Sequence, residues 1–295
     1  MVSSDCRPCS PVVLRPGCKV NLYLEIIGRE RDGYHELDTL FYPLASPCDE
    51  LTITSRSASG LDLECSCPAL QGEDNILHKA YAAFALATGV SPGLCVHLEK
   101  HIPMGGGLGG GSSDAAAFLG YLNALLGKHG LAEARLAALG LDLGADVPFF
   151  FRNRPCWAGG RGEKLQDADI DLHQFHALLI CPEVHVPTAW AYGAWDEYVT
   201  GEQSKKITPR ILTRQTRADR CPSSRGHVVC YNDFERVVFP VYPLLYNVKL
   251  AMFSCGAGAC VMSGSGASLF ALFKRECDRE KACIYLDASA ISYFI

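Results

Sequence analysis

A glycine-rich segment between a strand pattern and an Ala/Leu-rich helix pattern is the feature that most constrains this chain. Six of the seven residues at 105–111 are glycine, and Ser112, Ser113 and Asp114 follow. Glycine lets the backbone enter conformations with φ > 0 and brings N–H groups close to a ligand. The helix that follows adds unsatisfied N–H groups and the positive end of its dipole. The segment therefore predicts a phosphate-binding site rather than a linker, because linkers seldom join a strand to an apolar helix within one domain.

The glycine loop, residues 103–113, matches neither of the two most common phosphate-binding motifs. A Walker A loop continues into Gly-Lys-Ser or Gly-Lys-Thr, and no lysine follows the glycines here. The spacing G-x-G-x-x-G of dinucleotide-binding proteins can be found inside the run, but no acidic residue closes a following strand at the expected distance. The sequence thus indicates a phosphate loop of another class.

Length and hydrophobic periodicity predict two domains of α+β class. A chain of 295 residues is long for one core, and it becomes polar around residues 167–174, which places the predicted limits at 1–170 and 171–295. Strand and helix patterns are interspersed without a strict βαβ rhythm. The predicted strands lie at 19–27, 37–44, 51–55, 61–65, 96–102, 147–151, 156–158, 177–181 and 269–273. The predicted helices lie at 75–88, 113–126 and 131–139.

Charge and hydropathy give no global sign of a nucleic-acid or membrane partner. The net charge is −5 and the pI is about 6.0. A basic stretch at 200–225 is predicted to be a solvated loop or helix face. No run approaches the ~18 consecutive apolar residues of a membrane span, and the first residues lack the apolar core of a secretory signal. The expected location is cytoplasmic, with a plastid form that has lost its transit peptide left open.

The chain has fifteen cysteines, which is a high and odd number. Cys6 and Cys9 are spaced C-x-x-C, and Cys65 and Cys67 are spaced C-x-C, but neither pair has a second pair of ligands at zinc-finger spacing. A disulfide framework is not expected in a long chain without a secretory signal. The cysteines are therefore predicted to be reduced thiols, mostly buried as small apolar side chains.

Several polar residues stand at positions where chemistry is possible. Lys19 and Asn21 share the polar face of an alternating strand that is predicted to be half-buried. Asp146 lies between Gly144-Ala145 and Val147-Pro148, so it is predicted to be partly buried, either as a functional acid or as a helix cap or ion-pair partner. Tyr34 and His35 follow the turn signal Asp32-Gly33.

The combination of these motifs resembles the GHMP kinases. It consists of a strand lysine, the glycine loop, the sequence GADVP at 144–148 and the turn SGSG at 263–266. The sequence DGYH at 32–35 and the double glycine triplet make it most similar to the members that phosphorylate 4-diphosphocytidyl-2-C-methyl-D-erythritol. The resemblance runs in matching order from about residue 15 to about residue 275.

The resemblance implies a fold and a reaction. The N-terminal domain would be like ribosomal protein S5 domain 2, the C-terminal domain would be ferredoxin-like, and ATP with Mg²⁺ would lie in the cleft between them. The implied reaction moves the γ-phosphoryl group of ATP to the 2-hydroxyl of the cytidylyl-linked methylerythritol, in the non-mevalonate route to isoprenoids. No nucleic-acid or membrane partner is implied, and a monomer or weak homodimer is expected.

Roles for individual residues also follow from the resemblance. The catalytic residues would be Lys19 and Asp146, and metal ligands are not assigned. The nucleotide-binding residues would be Asn75, Pro103, Met104, Gly105, Gly106, Gly107, Leu108, Gly109, Gly110, Gly111, Ser112 and Ser113. The substrate-binding residues would be Asn21, Tyr34, His35, Thr188, Tyr192, Gly264, Ser265 and Gly266.

Two departures and two alternatives remain. Gly193 stands where some members have lysine, and the chain after Lys274 fits the family poorly, with an apolar tail at 282–295 whose packing is not predicted. Another GHMP activity, such as homoserine kinase, mevalonate kinase or diphosphomevalonate decarboxylase, is one alternative, against which the DGYH turn argues. A catalytically silent nucleotide or sugar sensor is the other, against which the retention of both Lys19 and Asp146 argues.

Overall fold

The structure is a computed structural model, and it describes residues 10–29, 33–201 and 230–295. The strands are β1 (Val12–Leu14), β2 (Cys18–Arg29), β3 (His35–Leu44), β4 (Glu50–Ser55), β5 (Gly60–Cys65), β6 (Gly93–Glu99), β7 (Cys156–Gly160), β8 (Lys164–Asp167), β9 (His176–Cys181), β10 (Tyr231–Asn232), β11 (Ala259–Met262), β12 (Leu269–Phe273) and β13 (Ser292–Phe294). The helices are α1 (Ile76–Thr88), α2 (Gly110–Leu125), α3 (Glu133–Leu143), α4 (Val147–Arg152), α5 (Thr188–Thr200), α6 (Glu235–Val241), α7 (Pro243–Ser254) and α8 (Glu276–Ala288). This mixture confirms the predicted α+β class.

The chain forms two compact units that alternate along the sequence. Unit 1 contains residues 1–18, 44–102 and 109–153, and unit 2 contains 19–43, 103–108 and 154–295. The units do not follow one boundary near residue 170, because early strands pair with strands from later in the chain. The linear limits 1–170 and 171–295 stay a prediction. Of the basic stretch at 200–225, all but the first two residues lie outside the described residues, as does Asp32.

Unit 1 packs helices against a four-stranded sheet of order β1-β4-β6-β5. β1, β4 and β6 pair antiparallel, whereas β5 and β6 are parallel. Helix α1 buries Leu77, Ala80 and Phe84, a spacing of three and four residues that places them on one face. Asn75 caps this helix by accepting a hydrogen bond from the Leu77 amide at 2.9 Å. The apolar face of the sheet and these helices form one core.

The predicted strand at 147–151 is wrong, because these residues form the short helix α4. A run of a few apolar residues fits a buried strand and a buried helix equally well by periodicity alone. Pro148 favours the helix, since proline is pre-organised for a first turn, where its missing N–H costs nothing. Val147, Pro148 and Phe149 are all buried, and Val147 packs with Ala115 and Ala116 of α2. Tertiary packing therefore decided this element.

Unit 2 contains two sheets. The first has the order β10-β2-β3-β7-β8, and the second has the order β11-β12-β9-β13. In the first sheet β10 runs parallel to β2, and β7 pairs antiparallel with β3 and β8. All pairs in the second sheet are antiparallel. Buried side chains of β9, β11, β12 and helices α5 to α8 form the main core of this unit.

In unit 2 the structure corrects one expectation and supplies the packing of the C-terminal tail, which the sequence left open. β2 is not half-buried: Lys19 and Asn21 on its polar face are only 4% and 2% exposed. The apolar C-terminal tail belongs to the core, since Ala282 and Leu286 of α8 are fully buried in it and β13 pairs with β9. Long-range pairing of this kind leaves no signal in a local window of sequence.

The helices of the described ranges are short. None of them alone is long and apolar enough to cross a membrane. The consecutive helices α6 and α7 reach the required length and composition only when taken together, and they are bent by 109° with respect to each other.

Candidate active site

The glycine loop has the backbone that its composition predicts. Gly105, Gly107 and Gly109 have φ values of +68°, +74° and +72°, a region that side chains with a Cβ rarely adopt. Leu108 between them is buried, with 1% exposure, and its carbonyl accepts a hydrogen bond from the Lys19 amide at 2.9 Å. Each glycine with positive φ turns the chain, and Leu108 anchors the loop to β2.

Part of the loop lies directly against the second glycine-rich turn, at 263–268. A Cβ on Gly107 would come within 2.2 Å of the Ser263 carbonyl oxygen, and one on Gly106 within 2.6 Å of the Ser268 Oγ. The Ser263 hydroxyl donates to the Gly107 carbonyl at 2.9 Å, and the Ser268 amide donates to the Gly106 carbonyl at 3.3 Å. These two glycines are therefore required by contact within the protein.

The start of α2 is organised differently. The helix begins at Gly110, three residues before the predicted start, and its N-cap Gly109 has no capping side chain. No atom of the described residues lies within 4 Å of the position that a Cβ on Gly111 would take. The amides of a first helical turn lack intrahelical acceptors, and the dipole places positive potential there. The open surface at Gly111 can therefore receive an anion.

Lys19 and Asn21 form a buried hydrogen-bonded group in unit 2. The Lys19 ammonium donates to the Asn21 Oδ1 at 2.7 Å and lies 5.0 Å from the centre of the Phe41 ring. The Asn21 Nδ2 donates to the Thr39 hydroxyl at 2.8 Å, and the Ser263 hydroxyl accepts from the Asn21 amide at 3.2 Å. The strand lysine is thus held beside the turn that contacts the glycine loop.

Asp146 and the start of α2 both belong to unit 1. Asp146 occupies the N-cap position of α4, as in the predicted alternative of a helix cap, but its side chain makes no capping hydrogen bond. A Cβ on the neighbouring Gly144 would lie 3.6 Å from the Ser112 Oγ. The segment that carries the aspartate therefore runs close to the first turn of α2. Asn75 is used as the cap of α1, and its Nδ2 donates to the Leu70 carbonyl at 2.8 Å.

Aromatic and charged side chains gather around the residues that follow the β2–β3 turn. The ring of Tyr192 stacks on His35, with centres 4.6 Å apart and planes inclined by 23°. The His35 Nε2 lies 2.7 Å from the Asp196 Oδ1. Arg29 also pairs with Asp196, at 3.3 Å.

Tyr34 and Thr188 have partners of their own in unit 2. Tyr34 is 57% exposed, and the Arg161 guanidinium lies 3.6 Å from the centre of its ring. The Thr188 hydroxyl lies 2.9 Å from the Ser265 hydroxyl. Thr188 at the start of α5 and Ser265 in the turn at 264–266, both predicted to bind substrate, therefore lie side by side.

Sequence reasoning missed Asp196 and Arg161. Thr188, Tyr192 and Asp196 are spaced four residues apart, so they lie on one face of α5. Recognising that helix would have pointed to Asp196. Nothing near Arg161 in the sequence marks it. In the part of the chain that the structure describes, no atom lies within 4 Å of the position that a Cβ on Gly193 would take.

Comparisons with known proteins agree with this architecture. Residues 75–154 match the model of the GHMP kinases N terminal domain, and residues 224–288 match that of the GHMP kinases C terminal. The 4-diphosphocytidyl-2-C-methyl-D-erythritol kinase of Nitratidesulfovibrio vulgaris (strain Hildenborough) is 44% identical, covering 96% of this chain and 97% of that protein. The protein of the same name from Solidesulfovibrio magneticus is also 44% identical, covering 93% and 92%.

Solved structures show the same relationship. A crystal structure of 4-(cytidine 5'-diphospho)-2C-methyl-D-erythritol kinase matches with a TM-score of 0.76 and 34% identity, covering 94% of this chain and 96% of that one. The homoserine kinase of Cytophaga hutchinsonii matches with a TM-score of 0.69 at 17% identity, covering 100% and 95%, and shows the shared fold alone. The predicted GHMP kinase fold is confirmed. From its near-complete coverage of relatives at this level of identity, the chain belongs to the 4-diphosphocytidyl-2-C-methyl-D-erythritol kinase family of GHMP kinases.

Proposed function

We propose that this protein transfers the γ-phosphoryl group of ATP to the 2-hydroxyl of 4-diphosphocytidyl-2-C-methyl-D-erythritol. The observation that carries the proposal is the 44% identity to kinases of that name over nearly the whole of both chains. Phosphoryl transfer depends on positioning and charge neutralisation more than on covalent chemistry.

The glycine loop and the start of α2 bind the phosphates of ATP. The amides of a first helical turn lack intrahelical acceptors, and the helix dipole favours an anion there. Positive φ at Gly105, Gly107 and Gly109 gives the loop its curvature. The side chain of Asn75 already makes two hydrogen bonds to its own surroundings, so its contribution to the nucleotide site is to fix α1.

The chemical step uses Asp146 and Lys19. Asp146 accepts the proton of the attacking hydroxyl, or orients that hydroxyl where a loose transition state needs proton removal only late. Lys19 supplies a fixed positive charge that stabilises negative charge on the reacting groups. Its ammonium is preset by the hydrogen bond to Asn21, so little reorganisation accompanies the reaction.

The cytidylyl group binds at Tyr34, His35 and Tyr192. A cytosine ring offers a flat face for stacking and a polar edge for hydrogen bonds. The exposed face of Tyr34 and the stacked pair His35–Tyr192 supply aromatic surface. The Arg161 guanidinium already covers one face of Tyr34, so the base either replaces it or stacks on the opposite face. Homoserine and mevalonate have no base that could use this surface.

A magnesium ion would arrive with the nucleotide. The described residues contain no group of three or more His, Cys, Asp or Glu side chains able to hold a metal ion. Mg²⁺ in kinases is bound largely by substrate phosphates and water, with few protein ligands. When bound, the ion neutralises charge on the phosphates. Residues of this chain position those phosphates through the loop amides.

Substrate identity is tested by measuring ADP release with three acceptors: the cytidylyl methylerythritol, homoserine and mevalonate. We expect turnover with the first alone, and we expect Asp146→Asn to lower its kcat by about 10² to 10⁴, which excludes a contaminating kinase. Turnover with homoserine or mevalonate would contradict the proposed substrate and identify that acceptor instead. Nucleotide binding without turnover of any acceptor would favour a sensor. The expected cytoplasmic location and the monomeric or weakly dimeric state stay predictions.

A further inference from the structure

Three charged side chains are buried together in unit 1, beneath the start of α2. Lys100 follows β6, Asp49 precedes β4, and Asp114 lies in α2. Their side chains are 7%, 0% and 2% exposed, in that order. The Lys100 ammonium donates to the Asp49 Oδ2 and, at 2.8 Å, to the Asp114 Oδ2. We call these residues the buried cluster; one cation serves two carboxylates in it.

The buried cluster connects the two ends of the glycine loop. The Asp49 Oδ1 accepts hydrogen bonds from the amides of His101 at 2.6 Å and Ile102 at 2.8 Å, where the chain leaves β6 and enters the loop. Asp114 lies in the helix through which the chain leaves it. The Ile102 side chain also lies against Gly110, so closely that a Cβ there would be 3.0 Å from it. The Lys100 ammonium thus links the segment through which the chain enters the glycine loop to the helix through which it leaves the loop.

Asp114 is incompletely satisfied. Among the described residues, its buried Oδ1 has no hydrogen-bond partner. Burial raises the pKa of this carboxyl to about 7, although the Lys100 ammonium lowers it and Asp49 adds to the rise. Cys65 is a further titratable group, and the charges of both Lys100 and Asp114 affect its pKa. The helices packed around α2 share apolar cores with it, and these cores include the titratable Tyr81 of α1.

The charge of the cluster therefore changes near neutral pH. With Asp114 protonated, one cation balances one anion. With Asp114 ionised, two anions surround one cation, and a net negative charge lies beneath the helix end that attracts phosphate. Coulomb repulsion between this buried negative charge and the bound phosphates remains substantial over several ångströms where the dielectric constant is low.

We propose that the cluster Asp49–Lys100–Asp114 positions the glycine loop for the nucleotide phosphates, and that ionisation of Asp114 weakens the binding of ATP. These are positioning residues, since none of them is placed in contact with substrate. The inference rests on the proposed use of ATP as phosphate donor.

The test is the affinity for MgATP of wild-type protein and Asp114→Asn, measured by calorimetry between about pH 6 and about pH 8.5. Saturating Mg²⁺ keeps the nucleotide in one charge state for both proteins. At the acid end we expect the two proteins to have similar dissociation constants for MgATP. At the alkaline end we expect wild type to bind MgATP about fivefold or more weakly than Asp114→Asn does. Lys128→Met, which removes an exposed lysine of the same unit, should follow wild type throughout.

Adenosine supplies a second measurement that needs no variant. It lacks phosphates, so its affinity for wild type should not change across the same pH range. A ratio of wild-type to Asp114→Asn affinities for MgATP that stays constant with pH, or a pH dependence for adenosine equal to that for MgATP, would overturn the inference. If wild type binds no ATP at any pH, the proposed function fails instead, so the two failures are distinguishable.

Discussion

The raised pKa of Asp114 makes a quantitative prediction about stability, independent of any ligand. Burial shifts the pKa of this carboxyl from 3.8 to about 7 in the folded protein. The folded state therefore holds the proton more tightly than the unfolded state does. Between those two values the unfolded state binds fewer protons, so the free energy of unfolding falls as pH rises. Asp114→Asn cannot ionise, and it should lack this component of the pH dependence.

The size of the effect follows from the two pKa values. One pH unit over which a single proton is bound only by the folded state changes stability by about 1.4 kcal/mol. From about pH 5 to about pH 8, partial ionisation at both ends leaves a loss of roughly 2 to 3 kcal/mol. Wild type should therefore lose that much stability relative to Asp114→Asn over this range, whatever the absolute stability of the variant.

Urea unfolding followed by circular dichroism at several pH values measures the difference. Asp62→Asn is the matched control, because Asp62 is a carboxylate of the same unit with 66% of its side chain exposed, and its removal should leave the pH profile of wild type unchanged. The assignment of a strongly raised pKa to Asp114 would be refuted if the stability difference between wild type and Asp114→Asn varied by less than about 0.5 kcal/mol over this range. A pKa shift of only a few tenths of a unit would explain so small a variation.

Further predictions concern the proposed active site. Asp146→Asn and Lys19→Ala should each lower kcat by about 10² to 10⁴ with the fold retained; near-wild-type turnover at normal folding would remove that residue from the chemical step. Tyr34→Ala should raise KM for the cytidylyl substrate about tenfold, in line with base-stacking energies of roughly 1–3 kcal/mol, while KM for ATP stays constant; lost thermal stability with unchanged KM would show that the ring only packs. Gly111→Ala should raise KM for ATP, and its melting temperature should stay unchanged because the surroundings of the new Cβ are open. Gly107→Ala should instead destabilise the protein because its Cβ would overlap the Ser263 carbonyl. Equal melting temperatures for the two variants would contradict this difference.

The sequence by itself determined the features that depend on local chemistry. The glycine loop, the helix after it and most strands follow from residue type and from hydrophobic periods of two or about three and a half residues. The loop's positive φ values at Gly105, Gly107 and Gly109 need no tertiary information, since glycine alone tolerates them readily. Motif order along the chain was also sufficient to indicate the family.

The tertiary structure decided which residues share an environment. Asp49, Lys100 and Asp114 are distant in sequence, and only the packing of β4, β6 and α2 removes all three from water together. Likewise, Lys19 and Asn21 read as a polar strand face, yet neighbouring elements bury them, and Asp196 reaches His35 only through the placement of α5. Burial and pairing are properties of contacts far apart in the chain, and the free-energy cost of an unpaired buried charge makes those contacts decisive.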